Sequence, residues 1–321
     1  MCRARPERTH RGRSREIDVT APSSSPLVSS RAERLLAIDI GNTSIAIGVY
    51  EGEHLAATFR VASDQENLPD EYAMLLSGLL AQRGIAPPDI DAAILSSTVP
   101  PLTSTFREVC RESFEVEALV VGPGVRTGIR VRYDNPREVG PDRVLHAVAA
   151  LHHYQPPLVI VDLGTALVFD AISGDGDYLG GAIAPGVGLA SEALFARAAM
   201  LSRVSIERPP SVIGRNTVHS VQAGLFFGYA ELVRGMVRRV SEELGEGVTV
   251  IATGGYASIL VEEAGCFDAV EENLNLEGLR LVYEANRPEA VAAPVPAGTE
   301  APAEPPGAPP APPTVPPGVT A

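Results

Sequence analysis

Two short segments of the chain carry the same pattern of residues, and the pattern suits phosphate chemistry. In each, an apolar stretch leads into Asp-x-Gly with a hydroxyl residue close behind, and a second apolar stretch follows. The first copy is Asp39–Thr43 and the second is Asp162–Thr165. Such a turn offers a carboxylate for a cation and N–H and hydroxyl donors for phosphate oxygens. A single copy is also typical of an Asx-type hairpin turn, but the repetition favours a functional interpretation.

A third candidate segment, Gly140-Pro141-Asp142-Arg143, lies between the two turns. The proline predicts a helix from this point to about residue 154, because proline is favoured in a first helical turn. An aspartate at a helix start usually caps the helix or interacts with its dipole. The arginine beside it can bind a carboxylate or phosphate through two N–H groups. A carboxylate in that setting suits a general base for a substrate hydroxyl.

Three further segments hold residues that could contact a ligand. Gly180–Gly186 either allows close approach of a ligand to backbone or forms tight turns. Thr217 opens a predicted long helix and is either its N-cap or a ligand of a substrate hydroxyl. Thr253–Gly255 joins a predicted strand to a predicted helix, where it contacts an adenosine or serves packing. We expect His146, His152 and His153 to be solvated or in the core, because their spacing fits no metal pair.

The composition excludes several classes of protein. All 26 basic residues are arginine, so a Walker A loop, a protein-kinase strand lysine and a Schiff-base lysine are absent. The net charge of −14 argues against non-specific binding of nucleic acid or acidic lipid. Three scattered cysteines form neither a disulfide framework nor a zinc pattern. We expect a cytoplasmic protein, because there is no apolar run of membrane-spanning length and no secretory signal.

The organisation of the chain predicts two related domains between two tails. Residues 1–33 and 287–321 are predicted to be disordered, because they lack apolar periodicity or are rich in proline and alanine. The repeated turns then assign one α/β domain to residues 34–155 and another to 156–286, with a nucleotide cleft between them. Each turn is predicted to join the two strands of a β-hairpin.

These segments together resemble the type III pantothenate kinase family, which belongs to the actin-like and sugar-kinase ATPase superfamily. The resemblance covers about residues 35–285 and follows the order of the family's motifs, ending in the segment Asn273–Leu279. It implies a fold of two duplicated ribonuclease-H-like domains. It also implies that the chain phosphorylates pantothenate with ATP to 4′-phosphopantothenate, the first step of coenzyme A biosynthesis.

The resemblance assigns residues to each part of that reaction. Asp142 is implied as the catalytic base, Asp162 as the ligand of K⁺ or NH₄⁺, and Asp39 as the ligand of Mg²⁺ or another divalent cation, directly or through water. The implied ATP-binding residues are Asp39, Ile40, Gly41, Asn42, Thr43, Ser44, Ile45, Ala46 and Thr165. The implied pantothenate-binding residues are Tyr133, Gly140, Pro141, Asp142, Arg143 and Thr217. The resemblance further implies a homodimer with pantothenate near the subunit interface, and no nucleic-acid or membrane partner.

The chain departs from the family pattern after the second turn, where Leu167 and Val168 stand in place of the usual threonines. Three alternatives remain open at this stage. An ATP-driven conformational sensor would hydrolyse ATP without pantothenate. A kinase of the same superfamily for another small molecule would have the turns without Tyr133 and the Gly140–Arg143 segment. A catalytically idle relative would have lost one of the three aspartates, and all three are present.

Overall fold

The structure, a computed structural model, describes residues 33–198, 201 and 203–287. The first five strands along the chain are β1 (Arg34–Ile40), β2 (Ser44–Glu51), β3 (His54–Ala62), β4 (Ala92–Ser97) and β5 (Ala118–Val120). They form one sheet in the order β3-β2-β1-β4-β5. The first three strands are antiparallel neighbours, whereas β4 runs parallel to both β1 and β5.

The next five strands repeat this arrangement. They are β6 (Leu158–Leu163), β7 (Ala166–Ile172), β8 (Tyr178–Pro185), β9 (Thr249–Thr253) and β10 (Ala269–Val270). Their sheet order is β8-β7-β6-β9-β10, with an antiparallel group of three followed by parallel strands. The expected α/β class with two ribonuclease-H-like halves is thereby confirmed. The division of the chain between residues 155 and 156 stays a prediction.

Both predicted hairpins are present, and they place the two aspartates equivalently. Asp39 is the penultimate residue of β1 and Asp162 is the penultimate residue of β6. Each of these strands lies in the middle of its sheet, between an antiparallel and a parallel neighbour. The two carboxylates therefore emerge at corresponding ends of the central strands.

Seven helices of the described residues cover the sheets. They are α1 (Pro69–Ala81), α2 (Pro100–Ser113), α3 (Pro141–His153), α4 (Val187–Arg197), α5 (Thr217–Leu244), α6 (Ala257–Ala264) and α7 (Leu274–Ala285). Apolar residues of α1 and α2 pack on one face of the first sheet, and those of α5 and α6 pack on one face of the second. No helix among them combines the length and apolar character that crossing a bilayer requires.

Helix α3 contributes to the hydrophobic cores of both halves. Leu145 packs with residues of β1, β4 and α7, whereas Ala147 and Ala150 pack with residues of β6 and β9. Helix α7 returns from the second half of the chain to pack on β1, so Leu276 and Leu279 join the first core. The helix that carries Asp142 in its first turn is therefore held between the two sheets.

The sequence predicted some elements and missed others. Helices α3, α5 and α6 and strand β9 lie within a few residues of their expected positions. The segment Gly180–Gly186, expected to be either ligand-contacting or a tight turn, instead forms most of strand β8. The tails predicted to be disordered lie outside the described residues, except for Glu33 and Arg287.

Helices α3 and α7 cross so closely that one position tolerates only glycine. A Cβ atom on Gly278 would lie 2.3 Å from the carbonyl oxygen of Leu145. We predict that Gly278→Ala lowers the free energy of unfolding by about 1–3 kcal/mol, because the helices must separate. Urea unfolding monitored by circular dichroism measures this change.

Gly78→Ala is the matched control for that substitution. Gly78 lies inside α1, and nothing would come within 4 Å of its Cβ atom. There alanine should raise stability by up to about 1 kcal/mol, because it favours the helix. Equal effects at the two positions would contradict the close crossing of α3 and α7.

Candidate active site

The first Asp-x-Gly turn is a tight connection between β1 and β2. The backbone N–H of Gly41 donates to the carbonyl oxygen of Ser44 at 3.1 Å. A Cβ atom on Gly41 would lie 3.0 Å from that same oxygen, so a side chain would crowd the turn. Asn42 and Thr43 at its tip are exposed. The turn therefore presents an amide and a hydroxyl group to the space beside it.

The second turn is one residue shorter than the first and contacts it. The N–H of Gly164 donates to the carbonyl oxygen of Ala166 at 3.1 Å. The hydroxyl of Thr165 donates to the hydroxyl of Thr43 at 2.8 Å. Both turns line one cleft of about 200 Å³, together with Asp142 and the Thr253–Gly255 segment. The structure thus brings the three predicted aspartates to a common space.

Asp39 is a buried carboxylate held by a residue from the far end of the chain. The side-chain amide of Asn275, in α7, donates to its Oδ2 at 2.7 Å. Burial raises the pKa of Asp39 above its ordinary value, the Asn275 hydrogen bond opposes this, and the charge of Asp142 adds to it. The negative form of Asp39 is consequently costly in the absence of a cation.

Asp162 shows the same physical situation on the other side of the cleft. Burial is the largest cause that raises its pKa, to about 6. The imidazole of His146 lowers the pKa, and the carboxylates of Asp142, Asp170 and Asp39 raise it. The aspartates therefore repel one another through a poorly solvated space, which is the environment in which carboxylates attract cations.

Asp142 stands at the start of α3 with one oxygen that lacks a partner. Its Oδ1 is buried and accepts no hydrogen bond from any described residue. Gly140 makes room for it, since a Cβ atom there would lie 2.4 Å from this oxygen. Asp142 also lines the cleft, so its carboxylate has an unsatisfied oxygen beside a space that a substrate hydroxyl could enter.

The Arg143 side chain is buried rather than open to solvent. Its Nε and Nη2 both lie close to Oδ1 of Asp170, at 2.8 and 2.7 Å. The hydroxyl of Tyr178 donates to the same oxygen at 2.8 Å. Burial and the Asp170 carboxylate act in opposite directions on the Arg143 pKa, and the net shift is upward. The guanidinium is therefore a fixed positive charge whose orientation is set by Asp170.

The structure places the remaining predicted site residues as follows. Ile40, Ile45 and Ala46 pack in the core of the first half, so their side chains do not line the cleft. The Tyr133 ring lies against strand β8, where a Cβ atom on Gly180 would come within 2.9 Å of it. Thr217 lines a separate hollow between α4 and α5.

Four residues that line the cleft were not among the predicted site residues. Asn275 belongs to the Asn273–Leu279 segment, which was noticed only as part of a resemblance. His146, expected to be solvated or in the core, lines the cleft one helical turn after Asp142. Arg60 and Glu272 also line the cleft. For these two no sequence signal exists, since charged residues in a strand and before a helix are commonplace.

The donor set fits hard cations, with one restriction. Carboxylate oxygens such as those of Asp39 and Asp162 are the ligands that Mg²⁺ and K⁺ accept. Within the part of the chain that the structure describes, no three His, Cys, Asp or Glu side chains form a complete metal site. The other ligands of a cation here must therefore come from a bound phosphate, from water or from backbone oxygens.

The raised pKa of Asp162 predicts a pH-dependent stability. A folded-state pKa of about 6, above the ordinary 3.8, means that the folded protein binds this proton more tightly than the unfolded chain. The ionised group therefore destabilises the fold at pH 7.5, and this penalty shrinks as the pH falls below about 6 and is lost below the ordinary pKa of 3.8. We predict that Asp162→Asn stabilises the protein at pH 7.5 by about 2 kcal/mol and that the gain shrinks toward pH 4.5.

Urea unfolding in buffer free of K⁺, NH₄⁺ and divalent cations measures this gain across the pH range. Asp175→Asn removes an exposed carboxylate and should change stability little at any pH. A constant gain for Asp162→Asn from pH 7.5 to 4.5 would contradict the raised pKa.

Comparison with known proteins identifies the family. The family model described as type III pantothenate kinase matches residues 35–239. The type III pantothenate kinase of Brevibacillus brevis is 48% identical over 253 residues, which are 79% of this chain and 99% of that protein. The Geobacter sulfurreducens enzyme of the same name is 49% identical with the same coverage. A solved structure of the ethanolamine utilization protein EutJ from Carboxydothermus hydrogenoformans, 15% identical over 77% of this chain and 89% of that chain, gives a TM-score of only 0.46. Because the family model matches most of the chain and these relatives are nearly half identical to it, the chain belongs to the type III pantothenate kinase family.

Proposed function

We propose that the cleft between the two Asp-x-Gly turns is where this family member transfers the γ-phosphate of ATP to pantothenate. Phosphorylation of pantothenate, the first step of coenzyme A biosynthesis, is the activity of the family. One observation supports this location above the others: Asp39, Asp142 and Asp162 line a single cleft. A phosphoryl-transfer site needs a base and cation ligands close together, and these three carboxylates supply both.

ATP is proposed to lie with its phosphates between the two turns. The exposed Asn42 and Thr43 on one side and Thr165 on the other offer donors to phosphate oxygens. The hydroxyls of Thr43 and Thr165 contact each other at 2.8 Å. A phosphate oxygen that accepts from both would replace this contact. Thr253–Gly255 lies at the end of β9 and is placed to receive the nucleoside part.

Asp39 and Asp162 are proposed to hold the cations of the reaction. Asp39 would hold Mg²⁺, or another divalent ion, directly or through water, and Asp162 would hold K⁺ or NH₄⁺. Such ions, when bound, would neutralise charge on the phosphates, a task that lysine performs in many other kinases. The two carboxylates have pKa values raised by burial, so a bound cation also relieves the cost of their ionised forms.

Asp142 is proposed to act as the general base. The hydroxyl oxygen of pantothenate bonds to the γ-phosphorus of ATP while the bond from that phosphorus to the β–γ bridging oxygen breaks. The hydroxyl proton passes to the Asp142 carboxylate, whose Oδ1 is buried without a partner among the described residues. ADP leaves with the bridging oxygen, so charge and atoms balance.

The pantothenate-binding residues are proposed to be Tyr133, Thr217 and the segment Gly140–Arg143. Pantothenate carries a carboxylate, which the guanidinium of Arg143 can bind and orient. The same guanidinium could instead stabilise the charge that develops during phosphoryl transfer. Nε and Nη2 of Arg143 already face Asp170, so the contact with substrate is proposed for the remaining N–H groups of the guanidinium. The Tyr133 ring, packed on Gly180, would form a wall of this pocket.

The functional unit is proposed to be a homodimer in the cytoplasm. Exposed apolar side chains occur on β8, α4 and the start of α5, namely Leu179, Ile183, Leu189, Leu194 and Val218. Strand β8 is also an edge strand, which favours association. Thr217 opens α5 beside this apolar face and does not line the cleft. It is therefore placed to reach pantothenate bound in the partner subunit.

Turnover of pantothenate tests the reaction and the base together. The wild-type protein, given ATP, Mg²⁺, K⁺ and pantothenate, should form phosphopantothenate detectable by mass spectrometry. Asp142→Asn should bind ATP but turn over about 10²–10⁴-fold more slowly, because a positioned base contributes that much. Asp175→Asn, which removes an exposed carboxylate elsewhere, should be unaffected. No product from the folded wild type would sink the proposed function, and near-normal turnover by Asp142→Asn would remove its role as base.

Mixing two inactive variants tests whether Thr217 acts across a subunit interface. A heterodimer of an Asp142→Asn chain and a Thr217→Trp chain has one cleft with Asp142 from one subunit and Thr217 from the other. Half of the dimers in an equal, equilibrated mixture are heterodimers, so about a quarter of the wild-type activity should return. If Thr217 acted within its own chain, mixing would restore nothing.

A further inference from the structure

Arg60 is an exposed arginine at the mouth of the cleft. It is in β3, paired opposite Ala46 in the register of the first sheet. Its Nη1 lies 3.4 Å from the hydroxyl oxygen of Ser44, at the edge of the first turn. The side chain is exposed and lines the same cleft as Asp39 and Thr165. The guanidinium is thus next to the turn that is proposed to bind phosphate.

The charge of Arg60 is not neutralised by any carboxylate among the described residues. Arg34, Arg143 and Arg280 all form ion pairs with Asp or Glu side chains. Arg60 contacts only a neutral hydroxyl, at a distance that makes a weak hydrogen bond. An arginine held in place beside a cleft without an anionic partner can still bind an incoming anion bidentately.

Its position also bridges the two halves of the structure. A Cβ atom on Gly255, which follows β9 of the second sheet, would lie 3.8 Å from Nη1 of Arg60. The guanidinium therefore stands between the Asp39–Ser44 turn and the Thr253–Gly255 segment. A ligand that extends from one to the other must pass this group.

The charge balance of the cleft calls for such a group. Four carboxylates line it, from Asp39, Asp142, Asp162 and Glu272, and the chain has no lysine. Arg60 is the one arginine among the cleft-lining residues that the structure describes. A triphosphate entering this space meets strong repulsion unless a permanent positive charge accompanies the cations.

We propose that Arg60 binds the phosphate chain of the nucleotide at the mouth of the cleft and is a binding residue of the kinase reaction. This inference rests on the proposed function, because it requires ATP to occupy this cleft. Arginine suits the role, since its planar group can contact two phosphate oxygens at once. The hydroxyl of Ser44 contacts the guanidinium of Arg60 at the edge of the first turn.

The test compares nucleotide binding by Arg60→Gln and by Arg107→Gln. Arg107 is an exposed arginine of α2 that lines no part of the cleft, so both variants lose one positive charge. Calorimetric titration of the full-length protein with Mg²⁺ and ATP should give an affinity about 10- to 100-fold weaker for Arg60→Gln, because a charge-assisted contact is lost. Arg107→Gln should bind as the wild type does.

Adenosine serves as the probe without phosphate, measured by ligand-observed NMR. Arg60→Gln should bind adenosine like the wild type, and Arg60→Lys should bind ATP with intermediate affinity, since it keeps a charge but not the planar group. The lysine variant carries the comparison if the glutamine variant does not fold.

Two results would overturn the inference while leaving the proposed function intact. One is equal ATP affinity for Arg60→Gln and Arg107→Gln. The other is an equal loss of ATP and adenosine affinity in Arg60→Gln, because the guanidinium then supports the nucleoside or the fold. If the wild type bound no ATP, the proposed function would fail first and the inference would fall with it.

Discussion

Helix α3 is packed into both hydrophobic cores, and this constraint fixes the geometry of the whole site. Leu145 on one face of the helix joins the core of the first sheet, while Ala147 and Ala150 join the core of the second. Asp142 in its first turn is thereby held between the β1–β2 turn and the β6–β7 turn. The position of Asp142 would otherwise depend on one half only, and motion of that half would carry its carboxylate away from the opposite turn.

The same constraint concentrates negative charge, and this charge explains much of the chemistry. Asp39, Asp142 and Asp162 share a poorly solvated cleft, so burial and mutual repulsion raise the pKa values of the first and third. The fold offsets part of this cost with neutral or fixed donors, such as the amide of Asn275 on Asp39. A bound cation would offset the part of this ionisation cost that the protein's own donors leave. A site that is unfavourable when empty of cations binds them, and the phosphates they accompany, more tightly.

Local patterns predicted the hairpins and the longer helices, since these depend on periodicity within a few residues. The continuous apolar runs that contain Asp39 and Asp162 and the 28-residue helix α5 are of this kind. Contacts between distant segments could not be predicted, because one sequence does not show which segments meet. Asn275 on Asp39 is 236 positions away. For Asp170 the need for a partner could be predicted, because a lone aspartate within the apolar strand β7 must be paired when buried. The sequence of the strand does not show that this partner is Arg143.

Strand β8 and helix α3 both support the proposed pantothenate-binding residues. Asp170 of β7 holds Arg143, and Tyr178 at the start of β8 donates to the same carboxylate oxygen. Two residues further on, Gly180 accommodates the ring of Tyr133. The opposite side of that strand exposes Leu179 and Ile183 at the sheet edge, the face proposed for subunit association. A shift of β8 would move Tyr178 and Gly180 together, so the proposed dimer contact and the proposed pantothenate contacts share one strand.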